Sequence, residues 1–285
     1  MTGPALSIDA AGASGASTEV RALLEPRGLL GEACAAAYLS FSDPASCIAA
    51  SESDGRLTPL IGFLPLATRG TALLRSIAAV DENGPRLVAN YRCAFPEDLD
   101  RLAAFEPEPD VGIEETAAIG WLLAAASLVL GLEEPDVGAA SGPAVHPVGL
   151  DTFVVEVDGR YVLDGRRFLR SVMSYRIGGV AKAVLGRSMF ESLGHFVSDA
   201  IGRLLRGWHA AAIVLAGDLF AGNAVLLESA RRGVCHLGPP VVDPRTEVVP
   251  TGDLTPPAVL RPRSAPVSLA RHRRDSGAGA RREER

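Results

Sequence analysis

The chain has 285 residues, 47% of them hydrophobic and only 5% aromatic, with a formal net charge of −6. Its core must therefore be built from Ala, Val, Leu and Ile, and the length suits one large domain or two small ones. The charge is uneven. Residues 261–285 hold eight Arg against three acids and leave −11 on the rest, so the acidic body has no general affinity for nucleic acid.

Lysine occurs once, as Lys182, which leaves a single amine as base or phosphate ligand. The four cysteines, Cys34, Cys47, Cys93 and Cys235, show neither Cys-x-x-Cys spacing nor a disulfide ladder, which predicts a reduced cytoplasmic chain without zinc. The first residues lack the basic region of a signal peptide. The most apolar run, Thr116–Gly131, is 16 residues long and bounded by Glu114, Glu115 and Glu133. That is short for a membrane span and predicts a buried core helix.

In chain order, residues 1–18 are rich in Gly, Ala and Ser and are expected to be disordered. Residues 19–39 carry helical periodicity, with Val20, Leu23, Leu24, Leu29 and Leu30 facing inward. Strands are expected at Ser46–Ala50, Leu60–Leu66 and Arg86–Arg92, and a helix over Thr71–Val80 with Thr71 as N-cap. Pro107, Pro109 and Asp110 break the chain before a long helix from Ile113 to Leu132, and residues 134–148 read as loop. Asp158-Gly159 between Thr152–Val157 and Tyr161–Leu163 predicts a hairpin. Helices follow over Arg166–Tyr175 and Ser188–Arg206, then a buried strand over Ala211–Leu215 and a helix over Ala221–Arg231. Beyond Pro250 the Pro and Arg content rises, and an Arg-rich disordered tail is expected over 251–285.

Residues 211–232 carry the best clue to function. A buried strand ends in Gly217-Asp218, and the helix after it points free N–H groups and its positive dipole end at that turn. Proteins of the α/β class place phosphates and nucleotides there. Gly217 allows close backbone approach and Asn223 can donate to a ligand. The competing reading is a plain strand-to-helix turn in which Asn223 bonds local backbone. Among single residues, His146 reads as loop, His195 as a half-buried helix residue, Cys235 as a small buried hydrophobe in a strand, and Asp199 as a solvated helix residue near the cleft. His209 and His236 have no partner at metal spacing.

The run Leu215-Ala216-Gly217-Asp218-Leu219-Phe220-Ala221-Gly222-Asn223-Ala224-Val225-Leu226-Leu227-Glu228 resembles the Leu-Ser-Gly-Gly-Val-Phe-Gln-Asn-x-x-Leu-Leu-Glu signature of the hydrogenase-maturation carbamoyltransferases, HypF. Upstream, in the same order, Val162-Leu163-Asp164 with Phe168-Leu169-Arg170, then Ser188-Met189-Phe190, and Ala117–Leu132 followed by Gly138-Ala139-Ala140 resemble further family segments. The resemblance covers residues 115–240. It implies an α/β class, actin-like and ribonuclease-H-like fold of two lobes, the first over 19–110 and the second over 111–250. It also implies ATP or a carbamoyl-adenylate with Mg²⁺, held by Gly217, Asp218, Gly222, Asn223 and Gly138, and another hydrogenase-maturation protein as partner. Family members pass the carbamoyl group to a cysteine thiol on the way to cyanide of the nickel–iron site.

The chain departs from the family at telling positions. Asp218 replaces a loop glycine, and a carboxylate ~4 Å from a phosphate charge costs about 4 kcal/mol at an effective dielectric of ~20. Val137 stands at the family's Glu, Glu191 at its helix His, and no His precedes His146 where the family places metal ligands. Three readings remain open: a HypF-like protein with weakened or lost catalysis acting as an accessory, an active carbamoyltransferase with altered contacts, and an unrelated α/β binding module.

Overall fold

A computed structural model of the chain describes residues 12–51, 56–105, 115–132 and 147–245. The chain opens with α1 (Gly12–Leu24), β1 (Cys34–Tyr38), β2 (Cys47–Ser51), β3 (Leu57–Phe63) and β4 (Leu66–Ala67). A helical stretch follows, α2 (Gly70–Ala78), α3 (Gly84–Ala94) and α4 (Pro96–Ala104), then β5 (Glu115–Thr116) and α5 (Ile119–Leu130). The last part holds β6 (Val154–Val157), β7 (Arg160–Leu163), α6 (Gly165–Ile177), α7 (Lys182–Leu205), β8 (Ala212–Ala216), α8 (Asp218–Gly222), α9 (Ala224–Val234) and β9 (Val241–Val242).

Seven strands form one sheet in the order β6-β7-β3-β2-β1-β8-β9. β1, β3, β7, β8 and β9 share one direction, while β2 and β6 run against it. Alternation along the central strands sorts the core. Ala35, Ala37, Ile213 and Leu215 face the layer that holds α5, α6, α7 and α9. Cys34, Ala36, Tyr38, Ala212, Val214 and Ala216 face α1, which inserts Ala16, Val20 and Leu24 from one stripe. Each fully buried Val or Leu of β8 contributes roughly 1.5–3 kcal/mol.

The sheet mixes strands from both sides of residue 110, since β1 lies between β2 and β8. The expected parting into lobes at 19–110 and 111–250 therefore does not correspond to two sheets. The described residues all fall in the compact unit Met1–Pro250.

Several local expectations need correction. The helix expected from 19 to 39 begins at Gly12, inside the stretch expected to be disordered, and ends at Leu24. A 3₁₀ turn over Glu25–Arg27, capped by Gly28 in the left-handed region, reverses the chain into β1. Ala-rich Cys34–Tyr38 has helical propensity, but tertiary pairing on both edges wins. The strand expected over Arg86–Arg92 is α3, in which Leu87, Val88 and Tyr91 form a helical stripe against the core. α2 has Arg69, not Thr71, at its N-cap and no side-chain cap bond. The long helix starts at Ile119, after the short β5 strand. Cys235 caps α9 and is exposed, and His195 is exposed on α7.

The hairpin forms as expected, with Asp158 at φ 50° and Gly159 at φ 74° supplying the left-handed turn. Asp164 caps α6, its side chain accepting from Arg166 N–H at 3.1 Å. α7 and α9 approach through small residues, Gly194 against Ser229 and Ser198 against Gly233. On the helical side, Arg176 is 6% exposed and donates to Asp98, to the Val129 carbonyl and, at 2.5 Å, to the Tyr91 hydroxyl. Its guanidinium also stacks 4.1 Å from the Phe95 ring centroid. No described helix is long and apolar enough to cross a membrane.

Candidate functional site

Parallel pairing brings the C-terminal ends of β1 and β8 side by side, so the loops that leave them meet. Leu39 N–H donates to Ala216 O at 2.9 Å, and Leu219 N–H donates back to Leu39 O at 3.2 Å. Gly217 makes this possible. It sits at φ 104°, ψ 158°, and a Cβ there would lie 2.0 Å from Leu39 O. Across the join, Asp218 Oδ1 accepts Phe41 N–H at 2.7 Å, linking residues 177 apart in sequence.

The loop after β1 is bonded to itself. Ser46 Oγ accepts from Ser40 N–H at 2.9 Å, and Ser40 Oγ accepts from Asp43 N–H at 3.2 Å. Asp43 accepts from Ala45 N–H at 2.8 Å and from the Tyr38 hydroxyl at 3.0 Å. On the other loop, Phe220 and Ala221 donate to Gly217 O, and Asn223 donates its N–H to Leu219 O. Asn223 Oδ1 accepts Leu226 N–H at 2.9 Å and so caps α9.

Glu19, on α1, completes the cluster. Partial burial and the neighbouring charges of Asp218 and Asp43 push its carboxyl above the ordinary range. Burial and the bond to Asp43 likewise push the Tyr38 phenol up. Because the folded value of Glu19 is raised, its stabilising contribution is full in acid and is lost as pH rises through that value. Glu19→Gln should therefore raise Tm at neutral pH and leave it unchanged below the ordinary carboxylate range. A lower Tm than wild type at neutral pH would count against this account.

The structure thus brings Gly217 and Asp218 to one point, but gives Asn223 to a helix cap. Gly222 is exposed, with open space around its Cα. Gly138, Val137 and His146 lie outside the described residues. Glu191 bonds Arg187 at 2.7 Å along α7 rather than facing the loops. Glu19, Tyr38 and Asp43 carry no motif that marks them in the sequence. They are brought together by the pairing of β1 with β8 and the packing of α1, and β1 lies where the sequence predicts helix.

Other candidates are quiet. His195, His209 and His236 are exposed, and among the described residues no group of three or more His, Cys, Asp or Glu could hold a metal ion. Burial pushes the Cys47 thiol up to about 12, which leaves it unreactive at neutral pH. Asp199 lies with Arg203 beside an apolar groove of about 640 Å³ that Phe153, Tyr161 and Phe196 also line.

The fold has solved counterparts. Full-length HypF in its phosphate- and nucleotide-bound form superposes with a TM-score of 0.55 at 15% identity, over 82% of this chain and 39% of that one. HypF of T. kodakarensis gives a TM-score of 0.55 at 12% identity, over 80% and 33%. The fold of this chain is similar to that of part of HypF. At such identity the likeness is one of fold, and the domain spans well under half the length of either HypF chain. No family model matches the sequence, and no curated protein does.

Proposed function

We propose that this HypF-like domain acts as an accessory protein in nickel–iron hydrogenase maturation, with carbamoyl transfer weakened or lost. The observation that carries the reading is the fold match, which spans four-fifths of the chain. The strand order β3-β2-β1-β8-β9, with β2 reversed, supports a ribonuclease-H-like, actin-like lobe. The partner would be another maturation protein, in the cytoplasm.

In this reading ATP or a carbamoyl-adenylate with Mg²⁺ does not fit the two described loops. The carboxylate of Asp218 and the carbonyl of Leu39 already take the N–H groups that phosphate oxygens would use. The proposed accessory role accordingly needs no nucleotide-dependent step. Removal of the chain from cells that make a nickel–iron hydrogenase should lower hydrogenase activity severalfold, and a tagged copy should co-purify with a maturation protein. Unchanged activity together with no such partner would overturn the reading.

A further inference from the structure

A phosphate at the end of a parallel sheet is held by backbone N–H groups of the loops leaving the strands. Here carboxylates of the chain itself hold such groups. Asp218 takes Phe41 N–H from across the join, and Asp43 takes Ala45 N–H within the first loop. Glu19, on α1, lies close enough for the charges of Asp218 and Asp43 to push its carboxyl up. Its position is set by packing, since Ala16 and Val20 on either side of it insert into the face of β1 and β8. Tyr38 joins the group by donating its hydroxyl to Asp43. An incoming anion would meet negative charges in place of donors.

We propose that Asp218 and Asp43, with the carboxylate of Glu19 beside them, form an internal latch that closes this end of the sheet to phosphate-bearing ligands, the two aspartates standing where the ligand's oxygens would bond. The 2.7 Å contact from Phe41 N–H to Asp218 has the length of a charge-assisted hydrogen bond and clasps the two loops together. The proposal rests on the HypF-like reading, in which the Gly217–Asn223 loop corresponds to a ligand-facing loop. It adds that the closure is built from this chain's own side chains and can be opened by changing them.

The test is calorimetric titration of the full chain with inorganic phosphate and with Mg²⁺-ADP. Wild type should bind neither at millimolar concentration. Asp218→Gly removes both the charge and the clasp, and the triple variant Glu19→Gln, Asp43→Asn, Asp218→Asn removes the charges while keeping acceptor oxygens. Relieving the like-charge repulsion should tighten binding of at least one of the two probes by at least about tenfold in either variant. Wild type binding as tightly as the variants would overturn the latch. So would a triple variant with wild-type circular dichroism that binds neither probe more tightly than wild type. Binding is read on pure protein and hydrogenase activity in cells, so loss of the pathway reading leaves this result standing, and the reverse.

Discussion

Gly217→Ala should lower Tm by about 10 °C or prevent folding. Two causes act together. The backbone at φ 104°, ψ 158° belongs to a region that only glycine occupies at ease. The added methyl carbon would also lie 2.0 Å from Leu39 O, a main-chain atom fixed in the join between β1 and β8. Neither side can yield, because Leu39 O accepts Leu219 N–H and Leu39 N–H donates to Ala216 O. A cost of about 3–5 kcal/mol follows from strain plus displaced pairing. Gly222→Ala is the control, since a Cβ there meets nothing within 4 Å. Thermal unfolding followed by circular dichroism checks both. Equal loss in the two variants would show that the Leu39 contact is not the cause.

Arg176→Met should destabilise by about 3 kcal/mol, because it removes one partner of a buried ion pair and leaves Asp98 with only the half-exposed Arg101, and the Val129 carbonyl with only the Tyr91 hydroxyl. Arg176 and Asp98 are 6% and 10% exposed at their side chains, and the guanidinium also serves the Val129 carbonyl and the Tyr91 hydroxyl. These groups come from α3, α4, α5 and α6, so one side chain ties together the helical layer. Tyr91→Phe, which keeps the ring and the packing beside Phe95, should cost only about 1–2 kcal/mol. Urea denaturation separates the two. A Met variant losing no more than the Phe variant would mean that the hub contributes little beyond Tyr91.

Much of the last third was legible in sequence because its signals are local. Asp158-Gly159 set the hairpin, and the unbroken apolar run of β8 announced a strand buried on both faces. Two segments, 25–39 and 86–92, misled for a physical reason. Alanine favours helix in isolation, yet Ala35, Ala36 and Ala37 are a strand because small side chains let α1 and the opposite helices close on the sheet. Arg86–Arg92 mixes polar and apolar residues closely enough to suggest a strand, and the packing of Leu87, Val88 and Tyr91 on one face shows the helix.

The candidate site divides the same way. Sequence by itself determined that Gly217-Asp218 ends a buried strand and opens a helix, since the apolar run and the glycine are neighbours in the chain. It also placed a carboxylate where the resembling family has glycine. Tertiary structure alone decided what that carboxylate does. Its hydrogen-bond partner lies 177 residues away, and Glu19 and Asp43 join it only because β1 pairs with β8 and α1 packs across both. Hydrogen bonds of that kind are set by three-dimensional proximity, which no local pattern of residues encodes.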